Sequence, residues 1–184
     1  MVLVGCTPTG RHIEQHDVFF GIAPNIKLLI PEIIAFWPEA EGKMHIDGWR
    51  EVTHVDGYAV RVVANPAKQN TNDDAATTPK LFFLNLGGYK QNEFEEYHYK
   101  MISAGSNKGI AVQQAKQTAF YKHTGFKGAE SHIDDKYGVD VDDVYAIEDI
   151  LPPGVKEKYS LQLTEDKEGK EDVLNLGYFI FSKL

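Results

Sequence analysis

The chain has 184 residues, 42% of them apolar, and a formal net charge of −8, which is enough material for one core or two small ones. Its acidity and its mere three arginines, Arg11, Arg50 and Arg61, argue against nucleic-acid partners and anionic membrane surfaces, because phosphate recognition needs a basic face. A single cysteine, Cys6, allows no internal disulfide and fits a reducing compartment. With no secretory-type start and no run of membrane-spanning length, the expected location is cytoplasmic.

In chain order, a short apolar strand over Met1 to Val4 is followed by a glycine-bearing turn and a second extended run, Gln15 to Ile22. Ile26, Leu29, Ile30, Ile33, Ile34 and Trp37 then recur at spacings of three and four, one buried helical stripe. Pro31 lacks a backbone donor, so this helix should kink or start late, near Leu28. A strand over Lys43 to Val52, a turn at Val55-Asp56-Gly57 and a strand over Tyr58 to Val63 close the first unit. The polar stretch from Ala64 to Lys80, with two prolines, reads as a linker.

The same order then returns: strands over Leu81 to Leu86 and Tyr97 to Ser103, then a helix over Asn107 to Tyr121, with Asn107 as its cap and a shallow stripe of Val112, Ala115 and Ala119. Shifting the front half by 87 places His45, Ile46, Asp47, Val52, Asp56, Tyr58 and Ala59 on His132, Ile133, Asp134, Val139, Asp143, Tyr145 and Ala146. Seven identities in sixteen positions far exceed the roughly one expected by chance. Upstream the offset is 82, pairing Gly5, Glu14, His16 and Asn25 with Gly87, Glu96, His98 and Asn107. The extra length of the second unit falls around His123 to Gly128. Pro152-Pro153-Gly154 precedes a tail that reads as a hairpin, Lys158 to Thr164 with Val173 to Phe181.

The expected organisation is a first unit at 1–63, a linker at 64–80, a second unit at 81–151 and a C-terminal hairpin at 152–184 completing the second unit. The fold class is α+β: two tandem ββαββ-like units related by a pseudo-twofold, with mostly antiparallel sheet and one amphipathic helix packed on each.

The strongest chemical candidate is the duplicated set Glu14, His16, His45 and Asp47, with Glu96, His98, His132 and Asp134. Strand residues two apart share a side, so each Glu-x-His and His-x-Asp pair can address one spot with donors suited to zinc, manganese or iron. Parity argues against the pairs meeting: His16 shares a face with Val18 and Phe20, whereas His45 and Asp47 alternate with Met44 and Ile46 and fall on the solvent face. The favoured reading is therefore structural, with the histidines bonded to nearby carboxylates or backbone. Cys6 reads as a bystander thiol, Gly5 to Arg11 as a turn rather than a phosphate loop, and the run from Asp134 to Asp143 as a solvated acidic edge rather than a calcium loop.

Glu14-Gln15-His16-Asp17-Val18-Phe19-Phe20 and His45-Ile46-Asp47-Gly48-Trp49, with Glu96-Tyr97-His98 and His132-Ile133-Asp134-Asp135-Lys136-Tyr137 in the second unit, carry a likeness to a known family. The sequence resembles the DUF1543 family, bacterial proteins of uncharacterised function in which a short domain occurs once or twice. That resemblance implies two domain copies and supplies no mechanism. From the residues, the expectation is a small cytoplasmic binding or interaction module without catalytic activity, whose partner is a protein, a small molecule or a second copy of the chain. No cofactor is established by the sequence. The alternative is a divalent-metal protein, or a metal-dependent enzyme, built on the eight residues above.

Overall fold

A computed structural model describes residues 1–65, 78–123 and 144–184, together with the main chain of 132–133. In chain order it runs β1 (Val2–Cys6), β2 (Gln15–Phe19), α1 (Ile30–Phe36), β3 (His45–Trp49), β4 (His54–Val55) and β5 (Tyr58–Ala64). It continues through β6 (Lys80–Tyr89), β7 (Glu96–Gly105), α2 (Lys108–Ala115), α3 (Ala119–His123), β8 (His132–Ile133), β9 (Val144–Ala146), α4 (Ile147–Ile150), α5 (Pro153–Lys156), β10 (Tyr159–Glu165) and β11 (Asn175–Ile180). The fold is α+β, with antiparallel pairing in every ladder described.

The helix boundaries follow from local chemistry. Asn25 caps a 3-10 turn over Ile26–Leu29, its side chain accepting from the Leu28 N–H. The α-helix proper starts at Ile30, so Pro31 falls in the first turn, where its missing donor costs nothing. Asn107 caps α2 in the same way, accepting from Ile110 N–H. Asp56 and Gly57 both hold positive φ, 48° and 80°, the left-handed pair that joins β4 to β5 in a tight hairpin.

Three layers of apolar side chains set the architecture. The four-stranded sheet ordered β11-β3-β1-β2 turns Val2, Val4 and Ile46 onto Leu29 and Ile33. The sheet built on β6, with β7 on one side and β8 and β9 on the other, turns Phe82, Leu84 and Leu86 onto Ala111 and Ala115 of α2. Between them lies a third cluster, in which Val18, Phe20 and Leu3 of the first sheet meet Leu81, Phe83, Ile102 and Ala104 of the second; the rings of Phe20 and Phe83 pack edge to face at 5.3 Å. Both sheets are thus covered on both faces over much of their area.

The small sheet β10-β5-β4 corrects the expected role of the tail. β10 pairs with β5 along its whole length, from Tyr159 opposite Ala64 to Glu165 opposite Tyr58, and β11 pairs with β3. The tail strands therefore join first-unit strands, and not each other as a hairpin that completes the second unit. Alternation marks Leu161 and Leu163 as a strand's buried side, but it cannot name the strand beside them. Val60 and Tyr58, which pack at the central cluster, recruit that partner. Most of the 64–80 linker, the His123 to Gly128 insertion apart from His123 itself, and the acidic run from Asp134 lie outside the described residues.

Candidate functional site: a Glu-His-His-Asp cluster over Gly5

Main-chain register sets the aligned glycines and histidines opposite one another. Gly5 on central β1 stands opposite His16 on β2 and His45 on β3. Gly87 on central β6 stands opposite His98 on β7 and His132 on β8. Each unit thus places a glycine between two histidines, a consequence of the 82 and 87 offsets acting together.

In the first unit the four candidate side chains meet. His45 Nε2 lies 3.2 Å from Glu14 Oε1 and 3.1 Å from Asp47 Oδ1. His16 Nε2 lies 3.4 Å from Glu14 Oε2 and 3.3 Å from Asp47 Oδ2. Two imidazoles and two carboxylates therefore alternate around a closed ring, correcting the expectation that the pairs stay apart. Alternation along β3 assigns the His45 and Asp47 face to solvent. That face looks toward the layer between the two sheets, and the His45 side chain is only 6% exposed.

Gly5 makes this approach sterically allowed. A Cβ there would sit 2.5 Å from Asp47 Oδ2 and 2.6 Å from His45 Nε2, closer than any real contact. On the outer side Tyr178 of β11 stacks on the His45 ring, with centroids 4.1 Å apart at 29°. It is brought there by a register shift between Leu176 and Phe179, where Gly177 holds φ at 153°. Glu14 and His16 form the open rim, 41% and 38% exposed.

The contacts are short enough for hydrogen bonds but are not oriented as such. His45 Nε2 and Asp47 Oδ2 are buried and have no hydrogen-bond partner. Orphaned buried polar atoms are costly, and donors facing one another around a gap satisfy themselves best through a cation. Around a tetrahedral ion with bonds of about 2.0 Å, one oxygen of each carboxylate would stand about 3.3 Å from both nitrogens, whereas here each nitrogen meets a different oxygen of Glu14 and of Asp47. Among the described residues, no three or more His, Cys, Asp or Glu side chains are arranged, as they stand, to hold a metal ion. Holding an ion therefore requires adjustment, which the exposed Glu14 and His16 can make while buried His45 and half-buried Asp47 stay fixed.

In the second unit, Glu96 and His98 stand exposed at the start of β7. The main chain places His132 across from Gly87, and Asp134 lies outside the described residues. Cys6 is buried on the opposite face of β1, its thiol pushed up by burial and turned toward the Ala40 carbonyl, in keeping with a bystander. Sequence reasoning missed Tyr178 and the role of Gly5. The signal for Gly5 was its alignment with Gly87, whereas a ring that arrives from the far end of the chain leaves none.

Fold and site together define an antiparallel α+β protein with a histidine-carboxylate cluster on its first sheet. Residues 11–62, which contain all four clustered side chains, match the family model described as Domain of Unknown Function (DUF1543). It is similar in fold to a solved structure described as a protein Il1583 from Idiomarina loihiensis, with a TM-score of 0.55 and 20% identity, over 97% of this chain and 93% of that one. No curated protein matches the chain. Among the described residues, no helix is long and apolar enough to cross a membrane.

Proposed function

We propose that the first unit is a divalent-metal-binding module whose ligands are Glu14, His16, His45 and Asp47. The observation that carries this reading is the closed ring of four nitrogen-to-oxygen spacings with an orphaned imidazole nitrogen and carboxylate oxygen inside it. Two imidazoles with two carboxylates suit zinc, manganese or iron. The exposed rim leaves room for water or a ligand oxygen to complete the shell. Thermal unfolding of untagged, chelator-stripped protein tests it. At a hundredfold excess over Kd, binding adds about 2.7 kcal/mol, a rise of roughly 5–10 °C for a chain of this size. His45→Ala should abolish the rise. Melting that ignores zinc, manganese and iron alike removes the proposal.

A second reading, an interaction module without catalysis, is favoured by Val173, Leu174, Leu176 and Tyr178, all at least 60% exposed on and before the edge strand β11. It expects a dimer at micromolar concentration in sedimentation equilibrium, broken by Leu176→Lys. A monomer at every concentration excludes self-association through that edge.

A further inference from the structure

A cavity of about 400 Å³ opens at the other end of the first sheet, well apart from the histidine cluster. Val2, Phe20, Trp49, Leu81, Leu151 and Leu161 line it, so it sits where both large sheets and the small one come together. Its size is that of a small-molecule site, and its walls are mainly apolar. None of the four clustered donors reaches it.

One wall is cationic. Arg50, immediately after β3, is among the lining residues; its side chain is half-buried, and its guanidinium carries five donors. Among the described residues those donors meet one carboxylate oxygen, Asp172 Oδ2, at 3.5 Å, and Nε has no hydrogen-bond partner. Asp172 Oδ1 accepts from Thr53 N–H, Thr53 Oγ1 and His54 N–H, while its buried Oδ2 makes no hydrogen bond and faces Arg50 as its counter-charge. A guanidinium whose carboxylate contact is long and which stands at an apolar cavity matches a planar anionic head, which it can bind through two parallel hydrogen bonds. Glu51, the other lining residue with a charged side chain, is exposed; the Met1 amino group, also in the lining, donates to the Arg50 carbonyl, and burial lowers its pKa to about 5, so it adds no charge at neutral pH.

We propose that this cavity binds a small monocarboxylate with an aryl or alkyl body, the carboxylate on Arg50 and the body among Phe20, Trp49 and Leu161. Trp49 provides the readout. In a Trp37→Phe background it is the sole tryptophan, and its emission reports occupancy. The probes are 4-phenylbutanoate and 4-phenylbutan-1-ol, which share a body and differ in the head. The acid should bind about tenfold or more tightly than the alcohol, as a charge-assisted contact requires, and Arg50→Met should erase that preference while the alcohol still binds. Leu161→Phe, which narrows the cavity and leaves Trp49 the sole tryptophan, should weaken both probes. Equal affinity for acid and alcohol in the unsubstituted cavity overturns the proposal, as does an acid preference that survives in Arg50→Met. So does the failure of both probes to bind folded protein.

Discussion

Gly5 decides what the residues around it can do. Its hydrogen is all that separates the main chain of β1 from Asp47 Oδ2 and His45 Nε2, so a single methyl group tests the site without removing any donor. Gly5→Ala should lower stability by about 1–3 kcal/mol through overpacking and abolish metal-dependent stabilisation, both readable in urea unfolding with and without zinc. If the alanine protein keeps its full response to zinc, the donors do not share the space above residue 5. Burial makes a second expectation at this scale. The Cys6 thiol is raised above its usual range, because ionising it would place charge in the core. It should react with a disulfide reagent at neutral pH only as fast as the protein unfolds, and stoichiometric reaction within seconds in native buffer would contradict its placement. The donor types themselves were legible in the sequence, since duplication singled out the eight residues. Their convergence was not, because parity along β3 names a face without saying what covers it.

At the scale of elements, the segment leading into β11 is tied down by one buried carboxylate. Asp172 accepts three hydrogen bonds from Thr53 and His54 and faces Arg50, fastening the approach to β11 against the connection between β3 and β4. Asp172→Ala should cost about 3 kcal/mol, the usual penalty for removing one partner of a buried pair and orphaning the other, and chemical denaturation measures it. A loss below about 0.5 kcal/mol would mean that the pair and its hydrogen bonds contribute as little as an exposed one. Helices were readable here because their signals are local: Asn25 and Asn107 each cap within three residues, and Pro31 falls where the first turn tolerates it. Strand existence was also local, in the alternation of Leu161 and Leu163. Strand partnership was not, since the choice of β5 for β10 and β3 for β11 is made across more than ninety residues of chain.

For the whole molecule, that crossing means the two units are not independent. The tail returns to the first unit after the second has been built, and the central cluster draws side chains from all three sheets. Removing residues 158–184 should therefore unmake the first sheet as well as the small one and abolish cooperative unfolding, followed by circular dichroism in urea. A truncated protein that still unfolds in one sharp transition would show the units to be separable. The offsets of 82 and 87 aligned Gly5 with Gly87, His16 with His98 and His45 with His132, and the structure sets each glycine opposite its two histidines; the sequence alone could not say that these strands are neighbours. The proposed metal site is tested most directly by anomalous diffraction above the zinc edge from crystals grown with zinc and without a histidine tag. One strong peak is predicted within bonding distance of both His16 Nε2 and His45 Nε2, flanked by Glu14 and Asp47. A map without density there, while zinc sits on other surface groups, would contradict it.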